Sequence, residues 1–478
     1  PGAGGRLGAL IFAGTGPGRL GRRNLADNWY RGFGPRLGVA YQAAKNTVLR
    51  ASAGIYYSPG LLVRLTAPGF ATTPVFTSPD GFSRAYNWAD PFPQDFPRPP
   101  FIDASFQNGL PVNMIGRDSA RSPQILSWTF GVQRELAPNL VLDTTYIGTH
   151  STHLVTGSSL ARPNVMNAQY LSLGSLLTQP ITSAAAAAAG RQAPFLGFEK
   201  YRNNTVGQAL RPFPQYLDIS GVNEAIGISR FGSLQIKATK RYSNGLTLLA
   251  FWTWSKNLTN VESGSLASAP ADTNVQYPLN RAGEISVSTN GPPHDFVCSF
   301  AYELPFGPDK PFLRHGGTLG RLVGGWQIVG FVRRASGNAL SISVGNNLSA
   351  LGYPGKRANY VAGQPVYLQS NPRDFDPGAG DLYLNSAAFA VPSSFELGNT
   401  ARVLDWARGW TNKSESASIG KRTRISERVS AMLRADVENP FNFVRWGGPN
   451  TNRSNANFGK VTSASAGRVI QLNLALEF

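Results

Sequence analysis

The sequence predicts an all-β protein, an antiparallel transmembrane β-barrel with long external loops and short periplasmic turns. Apolar side chains alternate with polar ones in about twelve segments, which is the period of a strand with two different faces. Several of these segments have the roughly ten residues that a tilted strand needs to cross a bilayer. Short and long connections also alternate along the chain, as they do on the two sides of a transmembrane barrel.

The composition is that of a turn-rich β protein. The 478 residues include 52 glycines and 34 prolines, while aromatic residues make up 11% and charged residues 15%. These values disfavour long coiled coils and charge-driven disorder. The single cysteine, Cys298, excludes an intrachain disulfide and an all-thiolate zinc site. No apolar stretch reaches the ~18 residues of a transmembrane helix, whereas strands with one polar face can cross a bilayer at a low mean hydropathy.

The segment from Val469 to Phe478 shows the alternation most clearly. Period two places five apolar side chains on one face, namely Ile470, Leu472, Leu474, Leu476 and Phe478, and Gln471, Asn473 and Glu477 on the other. A soluble β-sandwich strand would alternate in the same way. The aromatic residue at the end resembles the C-terminal signature of bacterial outer-membrane barrels, so we interpret the five apolar residues as a barrel-assembly signature.

The same alternation predicts strands at residues 5–13, 36–43, 47–57, 124–135, 140–149, 232–242, 246–256, 294–304, 325–335, 414–424, 428–438 and 468–478. Connections after residues 43, 135, 242 and 424 are short, and those after 57, 149, 256, 335 and 438 are long. The segment Pro305 to Gly324 stands where a short turn belongs, and we interpret it as an enlarged periplasmic turn. In the loop at about 150–231, Ala184 to Ala189 predicts a short helix that Ser183 caps and Gly190 ends.

Several segments resemble the TonB-dependent transporter family, in its Oar-like β-barrel branch. The matching stretches are Phe33 to Gly38 with Val48 to Tyr57, Gln133 to Leu136 with Tyr146 to Thr149, Lys240 to Gly245 with Thr253 to Lys256, Tyr302 to Gly307, Gly325 to Gln327 with Ser336 and Gly337, and Arg434 to Asn442. They occur in the family's order over about residues 30–478. The basic run that the family has before the strand at Pro292 to Asp295 is missing here.

The resemblance implies uptake or export of a large solute across the outer membrane of a Gram-negative bacterium. Solute would bind the external loops, chiefly 58–123, 150–231, 257–293, 336–413 and 439–467, and pass through the lumen when an energised partner displaces a plug. The implied partners are outer-membrane lipid, the barrel-assembly machinery and a TonB-type energising complex. Neither the plug nor the partner box is found, and about ten strands of a full family barrel are also missing. Residues 1–478 are therefore predicted to be the C-terminal part of such a barrel, with its plug and N-terminal strands not present.

Two alternatives remain open: a passive or structural barrel of the porin or adhesin kind, and a secreted soluble β protein. We predict no enzyme and no cofactor. There is no G-x-S-x-G motif, and His294-Asp295 lacks a nearby nucleophile. Gly16 to Gly21 matches G-x-G-x-x-G, but no acidic residue stands between Asp27 and Asp80 to hold a ribose.

Two groups of residues are candidate metal ligands. The sequence identifies no substrate-binding residues. His150 and His153 would need a third ligand. Asp374, Asp376 and Asp381 form an oxygen-rich turn that could hold Ca²⁺, although a solvated turn is the simpler interpretation.

The net charge of +18 comes from basic residues that occur singly or in pairs. This pattern disfavours nucleic acid as a partner. It fits pairing with lipid phosphates at the barrel rim, or attraction of anionic solutes into the lumen.

Overall fold

A single antiparallel sheet dominates the computed structural model, which describes residues 8–58, 69–70, 77–78, 80–85, 87, 89, 99, 101–262, 274–307, 310–314, 317–426 and 428–478. Eleven strands follow one another in chain order across the sheet, and Ser286–Val287 pairs beside the sixth. The eleven are β1 (Arg36–Ala44), β2 (Thr47–Tyr57), β3 (Gln124–Ala137), β4 (Leu140–Leu154), β5 (Gly227–Ser243), β6 (Leu246–Thr259), β7 (His294–Glu303), β8 (Trp326–Ala335), β9 (Asn412–Arg424), β10 (Ser430–Glu438) and β11 (Val469–Glu477).

The register places apolar side chains on one face of all eleven strands. Trp128 of β3 pairs with Gly148, Leu234 of β5 pairs with Trp254, and Ala435 of β10 pairs with Leu472. Because directly paired residues share a face, these pairs define the apolar face. Their sequence neighbours, such as Ser127, Ser233, Ser255, Asp436 and Asn473, lie on the opposite, polar face. The alternation seen in each segment is therefore coherent across the sheet.

Tight turns join the strands at one end of the sheet. Asn139 between β3 and β4 has φ 66°, and Asn244 and Gly245 between β5 and β6 have φ 51° and 78°. These left-handed conformations suit the two-residue hairpin turns that match the twist of antiparallel strands. The other end of the sheet carries the long connections.

Eleven of the twelve predicted strands are confirmed, and the prediction for residues 5–13 is wrong wherever the structure describes them. Residues 8–13 form bends and isolated bridges, with Phe12 bridging Arg19. Glycines at positions 8, 14, 16 and 18 have positive φ, which interrupts an extended strand. Residues 5–7 lie outside the described part. β4 and β5 extend beyond their predicted ends, to Leu154 and from Gly227.

The predicted connection Pro305 to Gly324 does join β7 and β8 at the turn end, and it includes the helix Gly317–Val323. The loop helix is also confirmed: Ala184–Ala188 is helical, Ser183 accepts a hydrogen bond from the Ala186 backbone, and Gly190 has φ 67°. The remaining helical segments are Val206–Ala209, Ala168–Thr178, Phe198–Lys200, Arg281–Glu284, Ser349–Leu351 and Ser386–Ala388. In the described part of the chain, every helix is too short or too polar to cross a membrane.

The buried apolar side chains lie mainly in the long loops. Short pairings order these loops: Pro111–Met114 with Asp218–Gly221, Ala339–Leu340 with Leu404–Arg408, and Asn359–Tyr360 with Phe389–Ala390. By contrast, the apolar face of β11 is uncovered, with Leu472 73% and Leu474 72% exposed. An apolar surface of this extent requires a non-aqueous surrounding or a partner.

Probe accessibility should report this two-sided environment. A spin label is introduced at Leu472, Leu474 or Asn473 after Cys298 is replaced by serine. In bilayers, we expect the labels at Leu472 and Leu474 to respond to a lipid-soluble relaxation agent and the label at Asn473 to a water-soluble one. Aqueous surroundings at Leu472 and Leu474 would contradict a lipid-facing surface.

Candidate functional site

Several long loops pack together at the loop end of the sheet, and we call residues 155–226, 274–293, 336–411 and 439–468 the loop cap. One core of the cap includes Ile342, Leu384, Phe389 and Leu404, all at most 1% exposed. A second core joins two loops, because Val165, Leu177 and Phe198 pack with Leu348 and Tyr353. The cap is thus a folded body with its own apolar interior.

Polar contacts tie the loops of the second core together. The Tyr353 hydroxyl donates to the Met166 carbonyl at 2.8 Å, and both residues are fully buried. Arg211 Nη2 donates to the Ala350 carbonyl at 2.5 Å. Burial lowers the pKa of Arg211 to about 10, so its guanidinium keeps its charge at neutral pH. The amide of Gln208 donates to the Tyr216 carbonyl at 2.8 Å.

A buried ionic network fastens the cap to the end of β6. Arg402 has a fully buried side chain, and its Nη1 lies 3.2 Å from Glu262 Oε1. Its Nη2 donates to the Thr259 carbonyl at 2.8 Å, and its Nε donates to the Glu284 carbonyl at 3.0 Å. Arg357 pairs with the Glu284 carboxylate, and both side chains are at most 4% exposed. Burial lowers the pKa of Arg357. Buried ion pairs of this kind fix the relative positions of the segments that they join, but removing both charges from water costs much free energy.

The polar face of the sheet carries nearly balanced charges. Its strand residues include eight basic ones, Arg36, Arg50, Lys237, Arg241, Arg333, Arg422, Arg424 and Arg434, and seven acids, Glu135, Asp143, Asp295, Glu303, Asp436, Glu438 and Glu477. Many of them pair, as Arg333 does with Asp295 at 2.7 Å and Arg434 with Asp436 at 2.7 Å. Leu249, Phe251, Val329 and Phe331 also lie on this face, and its strands supply little excess of positive charge that would attract anions.

The structure does not bring the candidate metal ligands together. Asp376 Oδ1 accepts the backbone N–H groups of Gly378 and Ala379, and Asp381 Oδ2 accepts that of Asp376. Asp374 instead pairs with the Asn371 side chain. Within the described ranges, no group of three or more His, Cys, Asp or Glu side chains could hold a metal, which also covers His150 and His153. Calcium binding at this turn stays a prediction without support from the geometry.

The predicted assembly signature lies along β11 at the edge of the sheet. Ile470, Leu472, Leu474 and Leu476 all lie exposed on the apolar face, and Phe478, just beyond the strand, is 92% exposed. Their role in assembly stays a prediction. Cys298 is half-buried on the apolar face of β7.

Sequence reasoning missed the buried network of the cap. Glu262 and Arg402 are far apart in the chain, and each is a single charged residue next to a valine, Val261 or Val403. No local period marks such a pair.

Comparisons with known proteins agree with this architecture. A family model described as outer membrane beta barrel domain matches residues 3–471. Similar solved structures include the outer membrane transporter YddB from Escherichia coli (8% identity, TM-score 0.38), the pyoverdine outer membrane receptor FpvA from Pseudomonas aeruginosa PAO1 (9%, 0.39) and the siderophore receptor PirA from Acinetobacter baumannii (8%, 0.37). The matches cover 91%, 93% and 93% of this chain, but only 38%, 36% and 40% of those chains. No curated protein matches the chain. The extent of the family match shows that this chain belongs to the outer membrane beta barrel domain family and lies in the bacterial outer membrane.

Proposed function

We propose that the chain is part of a TonB-dependent transporter that moves a large solute across the outer membrane. The observation that carries the proposal is the loop cap, whose loops share buried cores and the Arg402–Glu262 pair. A pore for small solutes needs no folded body of this size at its mouth. A binding surface does, because preorganised loops lose less entropy when they bind.

The polar face supplies the second requirement of a transport path. Many of its side chains are charged, amide or hydroxyl groups that form pairs with one another, as Asn473 does with Asp436 at 2.8 Å. A solute that leaves the cap would therefore meet a hydrated wall without a strong field. A solute dissociates from such a wall at little cost in free energy, which favours its passage through the barrel over its retention.

The free edges of the sheet support a larger barrel. β1 and β11 form the two ends of the strand order, and every residue of β1 is exposed. In an antiparallel sheet, the first and eleventh strands run in the same direction, so they cannot close the barrel by antiparallel pairing with each other. Closure with an even strand number, as in bacterial barrels, would need further strands between them. We therefore infer that residues 1–478 form the C-terminal part of the barrel.

The partners follow from the same proposal. A plug and a TonB-type complex would act from the periplasmic side, where the short turns lie, and the barrel-assembly machinery would recognise β11. The solute itself is a matter for experiment, since the cap shows apolar, basic and acidic groups together.

Uptake measurements test the proposal. A strain without the gene is compared with the same strain carrying the intact gene, and the growth medium is followed by mass spectrometry. We expect at least one large solute to disappear only when the gene is present, and a protonophore to stop its disappearance. If the solute still disappears from the medium when the protonophore is present, the barrel is passive. If the media of both strains contain the same amounts of every solute, transport is contradicted.

A matched pair of variants tests the role of the cap. Arg402→Met disturbs the buried network, whereas Arg333→Met removes an exposed pair on the polar face. We expect the first variant to lower uptake at equal surface expression and the second to leave it near the wild-type rate. Equal effects of the two variants on uptake would contradict a role of the loop cap in solute binding.

A further inference from the structure

The charged side chains on the apolar face are almost all basic. Among the described residues of strands β1 to β11, acids lie on the polar face with a single exception, Glu415, which is buried beside Arg334 and Arg445. Basic side chains instead lie at both ends of the apolar face. Arg134, Lys240 and Lys421 lie at the turn end. We call the set at the loop end the basic rim: His150, Arg230, Lys256, His294, Arg334 and Lys413. This part of a lipid-facing surface is where hydrocarbon gives way to headgroups.

The register places members of the basic rim next to one another. His150 of β4 pairs directly with Arg230 of β5, and Arg334 of β8 pairs directly with Lys413 of β9. Arg334 and Lys413 are like charges in direct opposition, which is unfavourable without a counter-ion. In the described part of the chain, Arg230 is exposed and has no acidic side chain as an ion-pair partner. Glu415 is the counter-ion of Arg334, so among the described residues the need for an anion is clearest at Arg230.

Aromatic rings fix the depth of the basic rim. The His294 ring stacks with those of Trp252 and Trp254, with centroids 5.9 Å and 6.4 Å apart. Tryptophan rings on a lipid-facing surface favour the boundary between acyl chains and headgroups. The basic rim therefore lies at headgroup level.

A notch opens at this level beneath the segment Leu404–Arg408, which overhangs the apolar face. Lys256 Nζ lies 3.3 Å from Asp405 Oδ2 and closes the top of the notch. The cavity has a volume of about 530 Å³, and its lining includes Tyr146, Leu234, Trp254, Lys256, Asp405 and Arg408. Tyr146, Leu234, Trp254 and Lys256 all belong to the apolar face.

The lining has an apolar part, which we call the floor, and a charged part, which we call the roof. It also includes the polar residues Ser233, Ser255, Asn257 and Ser288. Tyr146, Leu234 and Trp254 form the floor, on which a hydrocarbon chain can lie. Lys256 and Arg408 outnumber the one acid, Asp405, and the Lys256 side chain remains 60% exposed. An apolar tail joined to an anionic head matches both parts of this site.

We propose that this notch and the adjoining Arg230 bind an anionic lipid of the outer leaflet, with its phosphate at Lys256, Arg408 and Arg230 and an acyl chain against Leu234 and Trp254. The occupant is a lipid headgroup rather than free phosphate because the floor faces the bilayer. The proposed phosphate ligands Lys256, Arg408 and Arg230 are distinct from the charges of the polar face, so the existence of the site does not depend on solute transport.

Lipid-binding measurements test the proposal on the full chain. The protein is reconstituted in mixed micelles of phosphatidylglycerol and phosphatidylcholine, and native mass spectrometry counts the lipids that stay bound. We expect a preference for phosphatidylglycerol. Arg230→Gln combined with Lys256→Gln should reduce that preference by about tenfold or more, because each basic residue near a headgroup contributes roughly fivefold.

The matched control uses basic residues of the polar face. Lys237→Gln combined with Arg50→Gln removes the same charge from β5 and β2 but on the opposite face, and should leave the lipid preference unchanged. Heat-dependent migration on gels confirms that each variant is folded.

Three outcomes would overturn the proposal. The wild type could bind the two lipids equally, or the polar-face control could lose the preference to the same extent. Inorganic phosphate could also abolish the preference at concentrations that leave headgroups unaffected, which would make the notch a site for free anions. Brominated phosphatidylglycerol gives a second readout: it should quench the fluorescence of Trp254, identified as the part of the signal that Trp254→Phe removes.

Discussion

Replacing Arg402 by methionine is expected to open the loop cap at a cost of about 3–5 kcal/mol in the local free energy of unfolding. Glu262 would then remain 3% exposed without the guanidinium that lies 3.2 Å away. Removing one member of a buried pair leaves an uncompensated charge, and this costs more than the pair itself contributes. Hydrogen exchange of the backbone amides near residues 259–262 and 284 measures the change.

Two further variants separate the charge effect from general damage. Arg333→Met breaks a pair with Asp295 in which the arginine side chain is 47% exposed, so its cost should stay below about 1 kcal/mol. Combining Arg402→Met with Glu262→Leu removes both charges and should recover much of the stability. If the double variant is as unstable as Arg402→Met alone, lost packing rather than an unpaired charge explains the effect.

Replacing Leu474 by arginine should destabilise the protein in bilayers by about 2–4 kcal/mol, the usual cost of a cation on the lipid face near the membrane centre. Leu474 is 72% exposed on the apolar face and pairs with Leu433 of β10. The lipid that replaces water around this side chain cannot solvate a guanidinium. Unfolding by denaturant in phospholipid vesicles measures the free energy.

The control places the same side chain on the polar face of the same strand. Gln471 pairs directly with Asp436, so Gln471→Arg gains an opposite charge in water and should be near neutral. Leu474→Arg would be the better tolerated of the two variants, in aqueous buffer without detergent, only if β11 were not a membrane strand. Equal destabilisation by both arginines would contradict the two-faced environment on which the fold depends.

The positions of the strands could be predicted from local sequence because lipid and water act on every second residue. The strand predicted at 47–57 is observed as Thr47–Tyr57, and that at 294–304 as His294–Glu303. The prediction at 5–13 failed because apolar alternation there competes with glycines that adopt positive φ. The strands predicted from alternation are also shorter than β4 and β5, because residues beyond the bilayer do not have to alternate between apolar and polar side chains.

The loop cap and the basic rim depend instead on contacts between distant segments. Arg402 meets Glu262 across 140 residues of chain, and no pattern near either residue announces the other. Likewise, Arg230 and Lys237 both stand in one alternating strand, yet only the pairing of Arg230 with His150 shows that the first belongs to the headgroup boundary. Periodicity is a local response to two solvents and can be recognised in a single segment, whereas the pairing of charges requires register and loop packing that only the folded chain supplies.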